Sequence, residues 1–229
     1  MYKDIFVTAV ILAAGCGKRM NAGKNKLLLE ISHQSILSYT AKSFDRVLAV
    51  DEIVFVAAKG EEALISDIVS PHVTKPFKVV SGGKERSDSA YNGVLASKDG
   101  IVLIHDGARA FCEERIITEC IKATEKYGAA APGIEVTDTI KNVENGFIKG
   151  TVDRSVLTRI QTPQTFMRND ILKAYGKAKK EGLAVTDDCM IMENMGKDIF
   201  LVKGSPNNIK ITTKEDLLTA EILAKEIIL

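Results

Sequence analysis

VILAAGCGKRM, residues Val10 to Met20, passes without transition from apolar side chains to two glycines and two cations. Extended upstream it reads IFVTAVILAA, a near-continuous apolar run rich in β-branched residues, the pattern of a strand buried on both faces. The downstream segments alternate in the same sense. SILSYTAKSFDRVLAV has helical spacing at Ile36, Leu37, Thr40, Phe44 and Leu48, then come EIVFVAA as strand, EEALISDIV as helix, FKVVSGG as strand and ERSDSAYNGVLAS as helix. IVLIHDGAR is another strand with an abrupt polar end, and EERIITECIKATEKY a helix with Ile116, Cys120, Ala123 and Tyr127 on one face. Such β-α alternation predicts an α/β fold, a mostly parallel twisted sheet with helices on both sides. Ligands of such sheets bind beyond the carboxyl ends of the strands, so the loops after Ala14, Ser81 and His105 are the places to look.

The remaining features narrow the class. With 229 residues the chain is long enough for a full core and reads as one domain, residues 1–229, without repeats or linker. Its net charge of +1 gives no overall field for nucleic acid or a membrane, so an anion has to be met by local cations. No run approaches a membrane span, and the N-terminal apolar stretch reads as a strand rather than a signal peptide. Cys16, Cys112, Cys120 and Cys189 lack metal-like spacing and read as reduced thiols of a cytoplasmic protein. From about 136 to 157 the alternation breaks into short β-prone runs around Asn145-Gly146, a type I′ hairpin signal. This hairpin has too few apolar residues for a core of its own and is expected to project as an arm that packs on another chain. At the end, Thr213 with Asp216 predicts a capped helix with a stripe of Leu217, Ala220, Ala224 and Ile227, and with Glu221 and Lys225 paired outside.

Three loops carry candidate chemistry. AAGCGKRM fits neither a dinucleotide fingerprint, since Met20 stands where glycine is needed, nor a P-loop, since Arg19 follows Gly17-Lys18. Its small residues Ala14, Gly15 and Gly17 let backbone N–H groups approach phosphate oxygens, with Lys18, Arg19, Lys24 and Lys26 close behind. A plain glycine-rich turn with solvated cations is the competing reading. SGGKERSDS can hug a base edge, with Ser89 as a reader, or be an ordinary helix start with Arg86 and Asp88 as a solvated pair. In HDGAR a strand-end Asp106 suits Mg²⁺ or a cation, or a turn cap, and His105 reads as a packing residue rather than a ligand.

As a set, these loops resemble the nucleotidyltransferases that couple a nucleoside triphosphate to a sugar phosphate. AAGCGKRM with Lys26, GGKERSDS, HDGAR, DTIK, TVDR, QTPQTF, TDD and NIKIT are similar, in order and over essentially the whole chain, to the 2-C-methyl-D-erythritol 4-phosphate cytidylyltransferase family of the non-mevalonate isoprenoid pathway. The resemblance implies a Rossmann-like nucleotidyltransferase fold and formation of CDP-methylerythritol and pyrophosphate from CTP and a sugar-alcohol phosphate, with Mg²⁺. It implies that Arg19, Lys26 and Lys210 are catalytic cations. Ala13, Ala14, Gly15 and Gly17 would wrap the triphosphate, and Gly82, Gly83, Lys84 and Ser89 would read cytosine and ribose. Asp106, Gly107 and Arg109 would form the floor, with Asp106 the one protein group suited to touch a metal held mainly by CTP phosphates. Thr139 and Arg154 on the arm would reach into the partner's site of a homodimer, and Thr162 and Thr186 would lie near the reacting phosphates. Asn25 stands where a proline commonly precedes the lysine, which predicts a more mobile Lys26 loop; Leu27, Lys84 (where an acidic residue is common) and Ala110 are further departures, and none removes a charged catalytic group that the resemblance implies. The nearest alternative is a ribitol 5-phosphate cytidylyltransferase of the same fold; TVDRSVL favours methylerythritol phosphate.

Overall fold

The computed structural model describes residues 1–15 and 25–228. The expectations placed on Cys16, Gly17, Lys18, Arg19 and Lys24, and on the side chain of Ile227, lie outside the described residues. In chain order the elements are β1 (Val7–Leu12), a 3-10 turn at Lys26–Leu28, β2 (Glu30–Ile31), β3 (Gln34–Ser35), α1 (Ile36–Asp45), β4 (Glu52–Ala57), α2 (Glu62–Val69), β5 (Phe77–Ser81), α3 (Arg86–Ala96), β6 (Ile101–Asp106) and α4 (Glu114–Tyr127). They continue with β7 (Ala129–Glu135), β8 (Lys141–Glu144), β9 (Phe147–Thr151), β10 (Thr158–Ile160), β11 (Gln164–Met167), α5 (Arg168–Glu181), α6 (Asp188–Glu193), β12 (Phe200–Lys203) and α7 (Lys214–Ile228).

β1 lies between β4 and β6 and runs parallel to both, with β5 beyond β4. The chain thus winds outward from β1 to β5, then returns to the other side of β1 as β6. That reversal opens a crevice at the carboxyl ends of β1 and β6. On the far side β11 runs antiparallel to both β6 and β7. β10 pairs antiparallel with the end of β7, and β12 covers β7's other edge in parallel. The mostly parallel sheet is therefore observed, with β10 and β11 as the reversed strands.

Both faces of β1 are covered, as its unbroken apolar run requires. Val7, Ala9 and Ile11 join one core with Phe44 of α1, Ile65 of α2, Ile116 and Ile117 of α4 and Ala220 and Ala224 of α7. Val10 points into the opposite core, with Ala90 and Val94 of α3, Ile171 and Ala174 of α5 and Ile191 of α6. Full burial of each large side chain here is worth about 1.5–3 kcal/mol. α3 lies close on the sheet because Gly93 lacks a Cβ, which would stand 2.3 Å from Val10 Cγ1.

Some local expectations needed correction. α1 ends at Asp45, so Leu48 is not on its stripe and is 89% exposed; Val47 and Val50 fill that part of the core from the following turn. Tyr127 is half exposed and stacks on Phe200 of the edge strand, ring centroids 4.3 Å apart. α7 has its expected cap: the Thr213 hydroxyl accepts from the Asp216 amide, and the Asp216 carboxylate accepts from the Thr213 amide. Glu221, expected to pair with Lys225, instead accepts from the amide and hydroxyl of Ser32 in the β2–β3 turn. The arm has its predicted turn, with Asn145 and Gly146 both left-handed at φ 50° and 83°. Its apolar side chains Val143, Phe147 and Ile148 are 61%, 69% and 67% exposed.

Candidate active site

The site grows out of strand ends. Beyond β1, the Ala13 amide donates to the Val56 carbonyl of β4, which extends the β1–β4 pairing by one residue. Beyond β5, the Gly82 amide donates to the Ala57 carbonyl at 2.7 Å, and a Cβ on Gly82 would stand 2.9 Å from that of Ala14. The small residues of the two loops are thus packed against each other, and only a residue without a side chain fits between Ala14 and Ser89. Ser89 is buried, accepting from the Gly83 amide and donating to the Glu85 carbonyl, so its hydroxyl shapes the loop from below. Lys84 is exposed. Gly107, after β6, donates to Leu12 at 3.0 Å, and a Cβ there would stand 2.8 Å from that carbonyl oxygen.

Asp106, the last residue of β6, is the electrostatic centre. Its Oδ2 lies 2.7 Å from Lys210 Nζ and 4.0 Å from Arg109 Nε, and its Oδ1 accepts from Arg86 Nε at 3.2 Å. Burial by itself would raise the Asp106 pKa. Arg86, Lys210 and Arg109 together outweigh that and hold the carboxyl well below the usual range. Burial lowers the Arg109 pKa, which Asp106 partly offsets, and the Arg109 guanidinium is anchored on the Asn208 carbonyl at 2.7 Å. Lys26 belongs to the same neighbourhood: its Nζ donates to the carbonyl of Ile211, next to Lys210, while the Ile211 amide donates to Ala108. Cations from four separate segments therefore meet at one strand end.

Beneath this floor is a buried polar layer. The Thr162 hydroxyl accepts from the Asp106 amide at 3.1 Å and lies 3.0 Å from His105 Nδ1, and His105 Nε2 lies 3.1 Å from the Arg109 carbonyl. One tautomer satisfies all three contacts: Thr162 donates to Nδ1 and Nε2–H donates to Arg109. Burial lowers the His105 pKa to about 4, so the ring is neutral at pH 7, packed on Phe44 at 4.7 Å. The reading of His105 as a packing residue holds, and Thr162 supports the floor from below.

One expectation for the charged residues changes. Arg86 does not pair with Asp88, which instead forms a reciprocal cap with Glu85 at the head of α3. Arg86 bridges Asp106 and the fully buried Asp188, NH1 to Oδ2 at 2.9 Å. Asp188 in turn accepts from the Tyr175 hydroxyl at 2.5 Å; burial raises its pKa, which Arg86 only partly offsets. Arg86, Asp188 and Tyr175 form a buried extension of the floor that sequence reasoning missed, since GGKERSDS and the TDD run do not show that they meet. Asn25, read as leaving the Lys26 loop more mobile, has its side chain buried and hydrogen-bonded at the start of the Lys26 turn. Of the other predicted residues, Thr186 is exposed with its hydroxyl 3.8 Å from Met190 Sδ. Thr139 and Arg154 lie on or beside the exposed arm, where the Arg154 guanidinium donates to the Thr137 carbonyl.

The order of these strand ends is that of a nucleotide-transfer crevice, and comparison with known proteins narrows it. A profile of the 2-C-methyl-D-erythritol 4-phosphate cytidylyltransferase family matches residues 7–226. The chain belongs to this family. Curated cytidylyltransferases of that name from Clostridium acetobutylicum and Caldanaerobacter subterraneus are 48% and 46% identical over 222 and 225 residues. Those alignments cover 95% and 96% of this chain and 97% and 99% of the relatives. The crystal structure of 4-diphosphocytidyl-2C-methyl-D-erythritol synthase from Anaerococcus prevotii superposes with a TM-score of 0.86 at 32% identity, covering 96% of both chains. That of the cytidylyltransferase from Thermus thermophilus superposes at 0.81 and 28% identity, covering 96% of this chain and all of the other. The protein is thus a nucleotidyltransferase of the methylerythritol phosphate pathway, and a non-catalytic or dinucleotide-dependent reading of the fold is set aside.

The donors near Asp106 bear on whether the protein itself could hold a metal ion. Both Asp106 oxygens face cations, and among the described residues no group of three His, Cys, Asp or Glu is arranged to hold a metal. The floor gathers positive charge around Asp106 rather than a set of metal ligands.

Proposed function

We propose that this crevice transfers CMP from CTP to 2-C-methyl-D-erythritol 4-phosphate by direct in-line attack, and the convergence of Lys210, Arg86 and Arg109 on Asp106, with Lys26 bound to the carbonyl next to Lys210, carries that reading. An acceptor phosphate oxygen forms a bond to the α-phosphorus of CTP as the bond from that phosphorus to the bridging oxygen breaks, and pyrophosphate leaves with the electron pair. The attacking phosphate is already ionised near neutral pH, so no side-chain base or nucleophile is required. The obstacle is repulsion between two anions and the charge gathered on one phosphorus, and positioned cations address both. Lys26 and Lys210 stabilise that charge, joined by Arg19. Asp106 keeps Lys210 and Arg109 extended toward the crevice rather than folded on the surface. The glycine and alanine loops hold the triphosphate and the base through backbone groups. Arg19, Lys26 and Lys210 would face a triphosphate that carries Mg²⁺ mainly on its own phosphate oxygens, and the ion would supply charge neutralisation on the departing pyrophosphate.

The arm fits a homodimer in which Thr139 and Arg154 of one copy bind the acceptor phosphate at the partner's crevice. Exposed Val143, Phe147 and Ile148 supply the apolar contact such an arm needs. A reducing cytoplasmic setting agrees with Cys112, Cys120 and Cys189 being buried and free.

The test is pyrophosphate release from each of the four ribonucleoside triphosphates, paired in turn with methylerythritol phosphate and ribitol phosphate. Release with CTP and methylerythritol phosphate alone supports the reading. Faster release with ribitol phosphate would overturn the acceptor assignment, and release without any acceptor would overturn the transfer mechanism.

A further inference from the structure

Asn25 immediately precedes Lys26 and is only 5% exposed. A buried primary amide has two N–H donors and a carbonyl acceptor to satisfy. Asn25 satisfies them on three different segments. Nδ2 donates to the Ala13 carbonyl and to Glu61 Oε2, both at 2.9 Å, and Oδ1 accepts from the Leu27 amide at 3.2 Å. Ala13 ends the central strand region that opens the nucleotide loop, Glu61 precedes α2, and Leu27 lies in the 3-10 turn that carries Lys26. The Asn25 backbone, at φ −58° and ψ 118°, already has angles within a proline's range, so a side chain here supplies the restraint a ring would.

We propose that Asn25 is a positioning residue for the Lys26 ammonium: its amide clamps the Lys26 turn to the end of β1 and to the head of α2. The proposal rests on the reading of Lys26 as a cation of the transfer step and adds what holds it there. A cation at the end of a flexible stem helps the transition state only if its Cα is held, because stabilisation of charge on one phosphorus falls off with small displacements. The clamp also ties the Lys26 turn to the Ala13 carbonyl at the end of β1, so the cation is positioned relative to the central strand. Its polarity is one-way. Ala13 O and the Glu61 carboxylate are both acceptors and need a donor between them, which asparagine provides and aspartate does not.

The experiment is steady-state kinetics and thermal melting of Asn25→Ala, Asn25→Asp and the double variant Asn25→Asp/Glu61→Gln, with Lys26→Ala alongside. Asn25→Ala is expected to lower kcat by about ten- to a hundred-fold while the KM for CTP changes by less than about threefold, the split produced by misplacing a transition-state group. Asn25→Asp should lose more, since its carboxylate meets Glu61. The double variant should recover part of that loss, because a side-chain amide introduced at position 61 can donate to a carboxylate at position 25, with the polarity reversed. Wild-type kcat in Asn25→Ala, beside an inactive Lys26→Ala, overturns the clamp and leaves the Lys26 reading standing. Near-normal turnover in Lys26→Ala overturns both. A parallel fall of kcat and melting temperature that the double variant does not reverse assigns Asn25 a purely structural part and also overturns the proposal.

Discussion

The floor of the crevice and the arm contain the same kinds of residue and treat them in opposite ways. At the floor, Asp106 is surrounded by Arg86, Arg109 and Lys210, and the layer below it is closed by His105, Thr162 and Asn208. On the arm, Thr139 and Arg154 are exposed, and Phe147 and Ile148 have no core to enter. The difference shows which part of the site one chain can build. Residues held by the sheet ends find their partners within a single copy, whereas those on the exposed arm would act, in the homodimer proposed above, only where a second surface meets them. Substitutions should therefore divide into those that damage the folded chain and those that damage only assembly and acceptor use.

The largest effect belongs at the centre of the floor. Asp106→Asn keeps the shape but leaves Arg86, Arg109 and Lys210 without their shared counter-charge, and breaking such buried pairing costs about 3–5 kcal/mol. Denaturant unfolding should show that loss together with lost turnover; an unchanged midpoint would mean that the cations repel one another less than their spacing implies. Because the Asp106 pKa is depressed on folding, its contribution is fully present at neutral pH and is lost only as pH falls below the ordinary carboxylate range.

Next, Lys26→Ala should lower turnover by about 10²–10³-fold, the scale of one lost oxyanion donor, with the thermal transition nearly unchanged, and Lys210→Ala should lower turnover on the same scale with a stability loss smaller than that of Asp106→Asn, because Arg86 and Arg109 still face the carboxylate. Pyrophosphate release beside a melting curve checks both. Equal loss of stability and activity would place these lysines with Asp106 as parts of the fold.

His105 gives a pH effect of similar or slightly smaller size. It is buried neutral with its pKa lowered to about 4, while in the unfolded chain it titrates near 6.5. The stability it confers is thus complete above about pH 6.5 and declines as pH falls toward 4, by roughly 3 kcal/mol in total. Unfolding midpoints measured from pH 7.5 to 4 should show this slope, and His105→Gln should flatten it.

The smallest effects on folding belong to the arm. Phe147→Ser should change the unfolding free energy of a single copy by less than about 0.5 kcal/mol while weakening self-association measurably in sedimentation. Mixing Lys26→Ala with Arg154→Ala subunits under exchange should restore about a quarter of wild-type activity, since half the dimers are hybrids and each hybrid has one intact site. If exchanged mixtures stay inactive, the arm does not complete a partner's crevice and the contrast with the floor narrows to one of exposure.

Legibility in the sequence follows the range of the signal. The first half of the sheet is readable because β1, β4 and β6 are continuous apolar runs, and the arm turn because Asn145-Gly146 carries its own backbone preference. α5 is harder to read: it starts at Arg168 without a side-chain cap and is rich in lysine, although Ile171, Ala174, Tyr175 and Ala178 form its buried stripe. β10 and β11 are equally hard to place, since short strands take their direction from neighbours. Within the site, family likeness points to Asp106, Arg109, Lys26 and Lys210, and the structure brings them together. Arg86 reads as a partner of Asp88 because they are neighbours in sequence. The observed partner, Asp188, lies far along the chain.

By itself the sequence determined the alternation of strands and helices, the small-residue loops at strand ends and the hairpin turn. Each of these depends on periodicity or on backbone preferences expressed within a few residues. Only the tertiary structure decided which charges share Asp106, that Thr162 lies under the floor, that Glu221 serves Ser32, and that Asn25 ties Lys26 to β1. Those outcomes depend on distances between segments remote in sequence. A charge buried at a strand end takes whichever partner the packed helices bring within reach, and no local pattern encodes that choice.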